Sequence, residues 1–416
     1  VHNGENQVLG RLQLDTILSL TWKSAYQSVR GLVQHFAPAW RQAGLKLIEL
    51  DISEPGWETP LSNIIRANKI AFVLCTSGIG AKIMADGQNL WAKLNLPVFN
   101  LLLDHPAYLA ANHSGLPGPA VLAYMFRDHA LYQASDVRSG NMVTSIDYGV
   151  PDLSVAPIDQ VLRSGRPRVV FAKTGNSRAA LADSWRAAPR LERLLHDVLD
   201  ALALERNGYA NAGAFPPLIA EVAAAHRFEL QPFDLLSRFL IAQIDDYIRR
   251  LKSTAIAKAL LRFEVDVFGA AWEHIDTGGA KAKFHGPVDY AALEAGFSSA
   301  TASVTMNPNI DLSAHDRFFT AVGAGIMPVS DRNSYIAERF PEALPYSFDF
   351  SPGSIEAALE KVFCAPETVL ETARAMRERT RATDGVEHTA TAILEVMQSA
   401  RFLYLTPKPA QAFFVP

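Results

Sequence analysis

Cysteine is nearly absent: 416 residues contain two, Cys75 and Cys364, far apart and each inside an apolar segment. A disulfide framework is thereby excluded, both thiols read as small buried hydrophobes, and the cytosol fits best. No apolar run reaches the ~18 residues needed to cross a bilayer. The best candidate, LPVFNLLL at 96–103, carries an Asn and ends at Asp104, so an integral membrane protein is not expected. Charge of one sign is not in excess either, since 39 Lys+Arg stand against 43 Asp+Glu for a net charge of −4. Without clustered bases to meet phosphates, a nucleic-acid partner is not expected. Zinc-type Cys/His spacing, a GxxxxGK[ST] phosphate loop and a G-x-S-x-G elbow are missing, which sets aside the chemistries built on them. The chain opens on Val1 without an initiator Met, which leaves room for a preceding segment, a targeting signal included.

What is present is the alternation of two patterns. A length of 416 residues allows two or three domains of ~150. Short apolar runs, TILSLTW (16–22), KLIELDI (46–52), KIAFVLC (69–75), VFNLLL (98–103) and VLAYMF (121–126), alternate with helical stretches at 24–43, 58–67, 81–94 and 127–138. Nearly continuous apolar strands separated by helices indicate a parallel sheet covered on both faces, a doubly wound α/β domain. A polar, Pro-containing stretch, DYGVPDLSVAP (147–157), then leads into a second series, with the boundary near 155–166.

The βα rhythm restarts at RVVFAKTGN (168–176), is interrupted by a mostly helical insertion over 178–262, and resumes at FEVDVFG (263–269) and KAKFHG (281–286). A helix at 288–296, ATASVTMN (300–307), a helix at 315–324 and GIMPVS (325–330) follow, then helices over 354–403. The expected organisation is two tandem doubly wound Rossmann-like domains, 1–158 and 159–403, with the insertion in the second and a tail at 404–416. Their sheet edges would face one another across a cleft. GT-B glycosyltransferases, sugar-nucleotide epimerases and two-domain solute-binding proteins share this layout, so fold alone does not choose among them.

The chemistry is densest in 281–350. His285-Gly286-Pro287-Val288 reads as a strand-to-helix loop where Gly286 permits close backbone approach and a nucleobase edge can be read. The next strand ends at Asn307-Pro308-Asn309, and the following helix presents His315, Asp316 and Arg317 in its first turn, where a diphosphate fits. Gly323 and Gly325 bracket the return to the sheet, a role a plain helix end also fills. After the first strand of the second domain, Lys173-Thr174-Gly175-Asn176-Ser177-Arg178 is either a phosphate cradle or an ordinary turn. In the first domain, Asp104-His105-Pro106 follows the fourth strand: either residue is placed to serve as a base toward an acceptor, and Asp before Pro is equally a helix cap.

These residues resemble the CgeB-like, spore-maturation-type branch of GT-B glycosyltransferases. The likeness rests on His285-Gly286, Asn307, Arg317 through Ala321, Ala324-Gly325 and Asp331, and more loosely on Val169–Gly175 and Val267-Phe268-Gly269 with Trp272. It spans roughly the last 250 residues, and the first half matches only in rhythm. One departure stands out, because Thr320 occupies the place where the branch carries a Glu that binds ribose.

The resemblance implies a glycosyltransferase of hexosyltransferase type. A nucleotide-diphosphate sugar would serve as donor on the second domain, with an unidentified acceptor on the first and no cofactor or metal ion. A DxD metal motif is indeed missing, since Glu264-Val265-Asp266 lies inside a strand pattern. The donor-binding residues expected are Thr174, Gly175, Asn176, Arg178, His285, Gly286, Val288, Asn307, Asn309, His315, Arg317 and Gly325. His105 or Asp104 would be the base if configuration inverts. A sugar-nucleotide epimerase or hydrolase of the same fold, or a non-catalytic sugar-binding protein, is the alternative.

Overall fold

The computed structural model describes residues 14–23, 27–116, 118–136, 140–163, 165–202, 215–405 and 414–415. The first residues of the helix expected at 24–43, the last of that at 127–138, part of the insertion and most of the 404–416 tail lie outside them. The chain divides into two units: residues 1–147 with 386–416, and residues 148–385.

In unit 1, β1 (Thr16–Thr21) leads to α1 (Ser28–Gln42), β2 (Lys46–Asp51) to α2 (Glu58–Ala67), and β3 (Ile70–Thr76) to a β4–β5 hairpin (Met84–Ala85 and Gln88–Asn89) with a short α3 (Leu90–Lys93). Then come β6 (Val98–Leu102), β7 (Ala120–Tyr124), α4 (Arg127–Ala134) and β8 (Met142–Ser145). The six long strands form a parallel sheet in the order β8-β7-β6-β3-β1-β2. Its central strands are apolar on both faces, with Val73, Leu74, Phe99, Leu122 and Ala123 fully buried, as a sheet covered by helices requires.

Unit 2 opens with α5 (Ile158–Val161) and β9 (Val169–Ala172). The insertion follows as α6 (Arg178–Trp185), α7 (Pro189–Leu202), α8 (Phe215–Ala225) and the long α9 (Leu235–Leu260). Next are β10 (Val265–Phe268), β11 (Lys283–His285), α10 (Tyr290–Phe297), β12 (Ala302–Val304), α11 (Asp316–Gly323) and β13 (Met327–Val329). The unit ends with α12 (Ser334–Arg339), α13 (Ser354–Cys364) and α14 (Pro366–Asp384). Its five parallel strands run β11-β10-β9-β12-β13. The last helix, α15 (Val386–Leu405), returns to unit 1, where β14 (Phe414–Val415) adds to β8 in parallel. No described helix is long and apolar enough to cross a membrane.

Four features differ from the sequence reading. The helix expected at 81–94 is mostly a hairpin, because Asp86 and Gly87 adopt φ of 52° and 76°, the left-handed pair that turns a tight hairpin; Asn89 then caps a helix of one turn through Trp91 N and Ala92 N. The polar stretch at 147–157 opens inside unit 2: Tyr148 and Val150 are buried, and Pro151 lies against Gly323, where a Cβ would come within 2.4 Å of the Pro151 carbonyl oxygen. The boundary therefore falls at 147/148, ahead of 158. The helix at 386–405 belongs to unit 1, since its buried Ala390, Ile393 and Ala400 meet α1 and Trp40 Nε1 donates to the Ala390 carbonyl at 3.1 Å. Lastly, Cys364 is exposed at the end of α13; Cys75 alone is the buried thiol, its pKa pushed up by burial.

Candidate functional site

In unit 2 the chain leaves β9 toward β10 and β11 on one side, while β12 and β13 lie on the other. The exits of β9 and β12 therefore meet at the switch point of the sheet, where ligands of parallel α/β sheets bind. Two short segments arrive there, 173–178 from β9 and 315–317 at the start of α11.

Arg317 is the side chain most firmly aimed at this point. Its Nη1 donates to the carbonyl of Ala172, the last residue of β9, at 2.6 Å. The guanidinium makes no other hydrogen bond among the described residues, although a guanidinium carries five N–H donors in a planar fork. Lys173, next in sequence to Ala172, lies close enough to His315 to disfavour its protonation. His315 is the N-cap of α11, and its Nδ1 faces both the Asp316 carboxylate and the Arg317 amide, the latter at 3.3 Å. One nitrogen serves one of them at a time. Burial, seconded by Arg317 and Lys173, holds the His315 pKa below its ordinary value. Burial alone would raise that of Asp316, but His315 beside it, with Arg317, keeps the carboxyl well below the usual range. The Asp316 carboxylate is thus ionised at neutral pH, and Arg317 and Lys173 bring two cationic side chains to the switch point.

The β9 loop is shaped by packing as much as by any ligand. Lys173 N donates to Phe268 O and Gly175 N to Ala270 O, each at 2.9 Å. A Cβ on Gly175 would lie 2.1 Å from the Trp272 ring, whose Nε1 donates to Lys173 O at 3.1 Å. Gly175 is glycine because an indole covers it. Asn176 is exposed and Arg178 half-buried at the first residue of α6, where Ser177 Oγ caps the helix by accepting from Ala180 N. Thr174, just before Gly175, is half-buried.

Other expected donor residues are engaged by the protein. The His285 ring stacks on Phe268 with centroids 4.8 Å apart, and its Nε2 pairs with Asp266 at 2.9 Å. Burial would raise the Asp266 pKa, but His285 and Arg168 together hold it low. Gly286 has open space where a Cβ would stand, and Val288 is half-buried, so the 286–288 backbone and not the imidazole is what this loop presents.

Asn307 and Asn309 are 1% exposed, their amides bonded to the β13 exit and to Asp245. Gly325, at φ +67° with Val155 against it, is a helix-end turn. Thr320 is 1% exposed and bonds to the Asp316 carbonyl and the Tyr290 hydroxyl, so this position presents nothing to a ribose. Trp272, part of the looser likeness, covers Gly175 across 97 positions, whereas Lys252 of the insertion, which reaches Asp331, had no sequence signal.

In unit 1, Asp104 and His105 follow β6, but no Pro-started helix forms; a turn and a short 3-10 segment at Ala110–Asn112 take its place. His105 is 2% exposed, its Nδ1 accepts from Ala107 N at 3.1 Å, and its ring packs on His129 and Tyr132. The cap of this turn is the imidazole itself. Asp104 is half-buried beside it.

Comparisons with known proteins bear on the fold and on the family of part of the chain. Residues 249–395 match the profile of a family described as glycosyl transferase-like. No curated protein matches by sequence. Among solved structures, sucrose-phosphate synthase from Thermosynechococcus elongatus is similar at 9% identity and a TM-score of 0.53, covering 94% of this chain and 100% of its own. An Anabaena protein, Alr3699/HepE in complex with UDP-glucose, gives 12% identity, 92% and 99% coverage and a TM-score of 0.48. A glycosyltransferase from Rickettsia africae gives 13%, 95%, 100% and 0.39. The fold is thus α/β of the GT-B type, and the family match supports a glycosyltransferase.

Proposed function

We propose that unit 2 binds a nucleotide-diphosphate sugar with its diphosphate between Lys173 and Arg317, and that the protein transfers the sugar to an acceptor taken by unit 1. The observation that carries the reading is the Arg317 guanidinium, pinned by one bond to the end of the central strand with the rest of its fork unused among the described residues. In the transfer, the bond from the anomeric carbon to the diphosphate oxygen breaks and its electron pair stays on the diphosphate. A new bond forms to the acceptor atom, whose proton leaves. Arg317 and Lys173 are in place before charge develops on the leaving group, and such fixed charges lower the barrier without reorganisation. This reading assigns the neutralisation to side chains and needs no metal. Placement in the CgeB-like branch is supported by the motif residues Asn307, Arg317 and Asp331, and a hexose as the transferred group is what that placement would imply.

Calorimetry with UDP and uridine tests the reading. Arg317→Ala is expected to weaken UDP binding by about 1.5–3 kcal/mol, the range for a hydrogen bond to a charged group, and to leave uridine binding unchanged. Equal losses for both ligands would show that Arg317 supports the fold and not the phosphates.

A further inference from the structure

The insertion helix α9 carries an unusual load of buried charge. Asp245 and Lys252 are 0% and 4% exposed, and Arg249 lies between them at one turn's spacing. Positions i, i+4 and i+7 share one helix face, and burying charge is unfavourable unless each group is paired. An apolar stripe would have served for packing alone, so the partners explain the choice. Asp245 Oδ1 accepts from Asn309 Nδ2 at 2.8 Å. Lys252 Nζ reaches Asp331 Oδ2 at 3.4 Å. On the adjoining stripe, Arg250 donates to the Ser177 carbonyl at 3.0 Å and to Asp246 at 2.7 Å. One helix thereby grips the exits of β9, β12 and β13.

From Lys252 the contacts continue without a gap to the donor site. Asp331 Oδ1 accepts from the Asn307 amide at 2.7 Å, so the two carboxylate oxygens divide their work between α9 and the β12 exit. The Asn307 side chain donates to Asp331 O at 3.1 Å and to Ser330 Oγ at 3.3 Å, and its Oδ1 accepts from His315 N at 3.0 Å. Both N–H donors and the oxygen of that amide are used. The His315 backbone is the cap of α11, and two residues on stands Arg317.

We propose that Lys252, Asp331 and Asn307 are positioning residues for the diphosphate site: a buried polar relay through which the insertion helix fixes the cap of α11 and the aim of Arg317. The inference rests on the donor reading above for what the site binds, but its structural half stands without a ligand. The test is a pair of variants in the full chain. Lys252→Met/Asp331→Asn removes both buried charges together, so neither is stranded, and keeps an oxygen for the Asn307 amide. Lys252→Arg keeps the charge.

In the first, amides at 315–318 are expected to exchange with solvent about tenfold faster, and UDP to bind about tenfold more weakly, which is ~1.4 kcal/mol. Uridine affinity should be unchanged. Lys252→Arg is expected to leave both values near wild type. Unchanged exchange at 315–318 in the double variant overturns the relay, whatever UDP does. So does faster exchange with UDP affinity intact, and so does a lowered melting temperature as the sole effect. If the wild type itself shows no UDP binding, the donor reading fails, and the exchange measurement still decides whether α9 holds the cap.

Discussion

Gly175 and His105 show how differently one residue reads in sequence and in the folded chain. In a loop after a strand, a glycine suggests room for phosphate; here an indole already fills that room, and a Cβ would stand 2.1 Å from it. Gly175→Ala is therefore expected to destabilise unit 2 by about 1–3 kcal/mol, the usual effect of overpacking, with a shift in Trp272 emission, measured by denaturant unfolding. His105 invites a catalytic reading because imidazole titrates near neutrality. Yet an Nδ1 that accepts from a backbone amide carries no proton, so the neutral ring holds its proton on Nε2, and the ring is 2% exposed. His105→Ala should lower stability by about 1–3 kcal/mol, the effect of leaving a buried donor unpaired, and alter turnover per folded molecule by less than tenfold. A loss of about 10²–10⁴-fold, the contribution of a general base, would return the base role to it.

At the scale of elements, the apolar face of α15 was plain from its periodicity, but not the surface that buries it. Trp40, Val33 and Phe36 on α1 are fully or nearly fully buried, and Trp40 Nε1 bonds to α15. A chain ending at Gly385 should therefore show faster amide exchange across 14–145, with 169–384 protected as before. Loss of protection in 169–384 instead would return α15 to unit 2. The hairpin at 84–89 teaches a related lesson, since Asp-Gly is a turn signal that a helical spacing of apolar residues around it concealed. The helices of the insertion were legible as helices. That α9 would carry Asp245 and Lys252 inward was not, because a buried charge and a solvated one look alike until the partner, 64 or 79 positions away, is in place.

For the molecule as a whole, acid is the condition to which these ion pairs answer. Asp266 is held low by His285 and Arg168 against its burial, and Glu342 chiefly by its hydrogen bond from Arg379. A carboxyl whose folded pKa lies below its unfolded value contributes stability that is present above the unfolded value, about 3.9–4.3, and is lost as pH falls through the folded one. Denaturant unfolding between pH 7 and pH 3 should show stability falling over the acid end of that range. Asp266→Asn, already without its charge, should be less stable than wild type at pH 7 and closer to it at pH 3. A wild-type profile flat to pH 3 would mean that these pairs hold no more tightly in the folded chain than in the unfolded one.

The sequence by itself determined the parallel strands, their βα rhythm, the helical insertion and the position of Arg317 at a helix start, because these depend on local periodicity and on residues within a few positions of each other. Tertiary structure alone decided which unit buries α15, that 148–151 are packed into unit 2, and which side chains of the motif are engaged by the protein. Asn307, Asn309 and Arg317 are all polar residues at strand and helix ends. Only the distant Asp331, Asp245 and Ala172 determine that the side-chain amide N–H donors of the first two are taken by the protein while the third, bonded once, keeps most of its donors for something else.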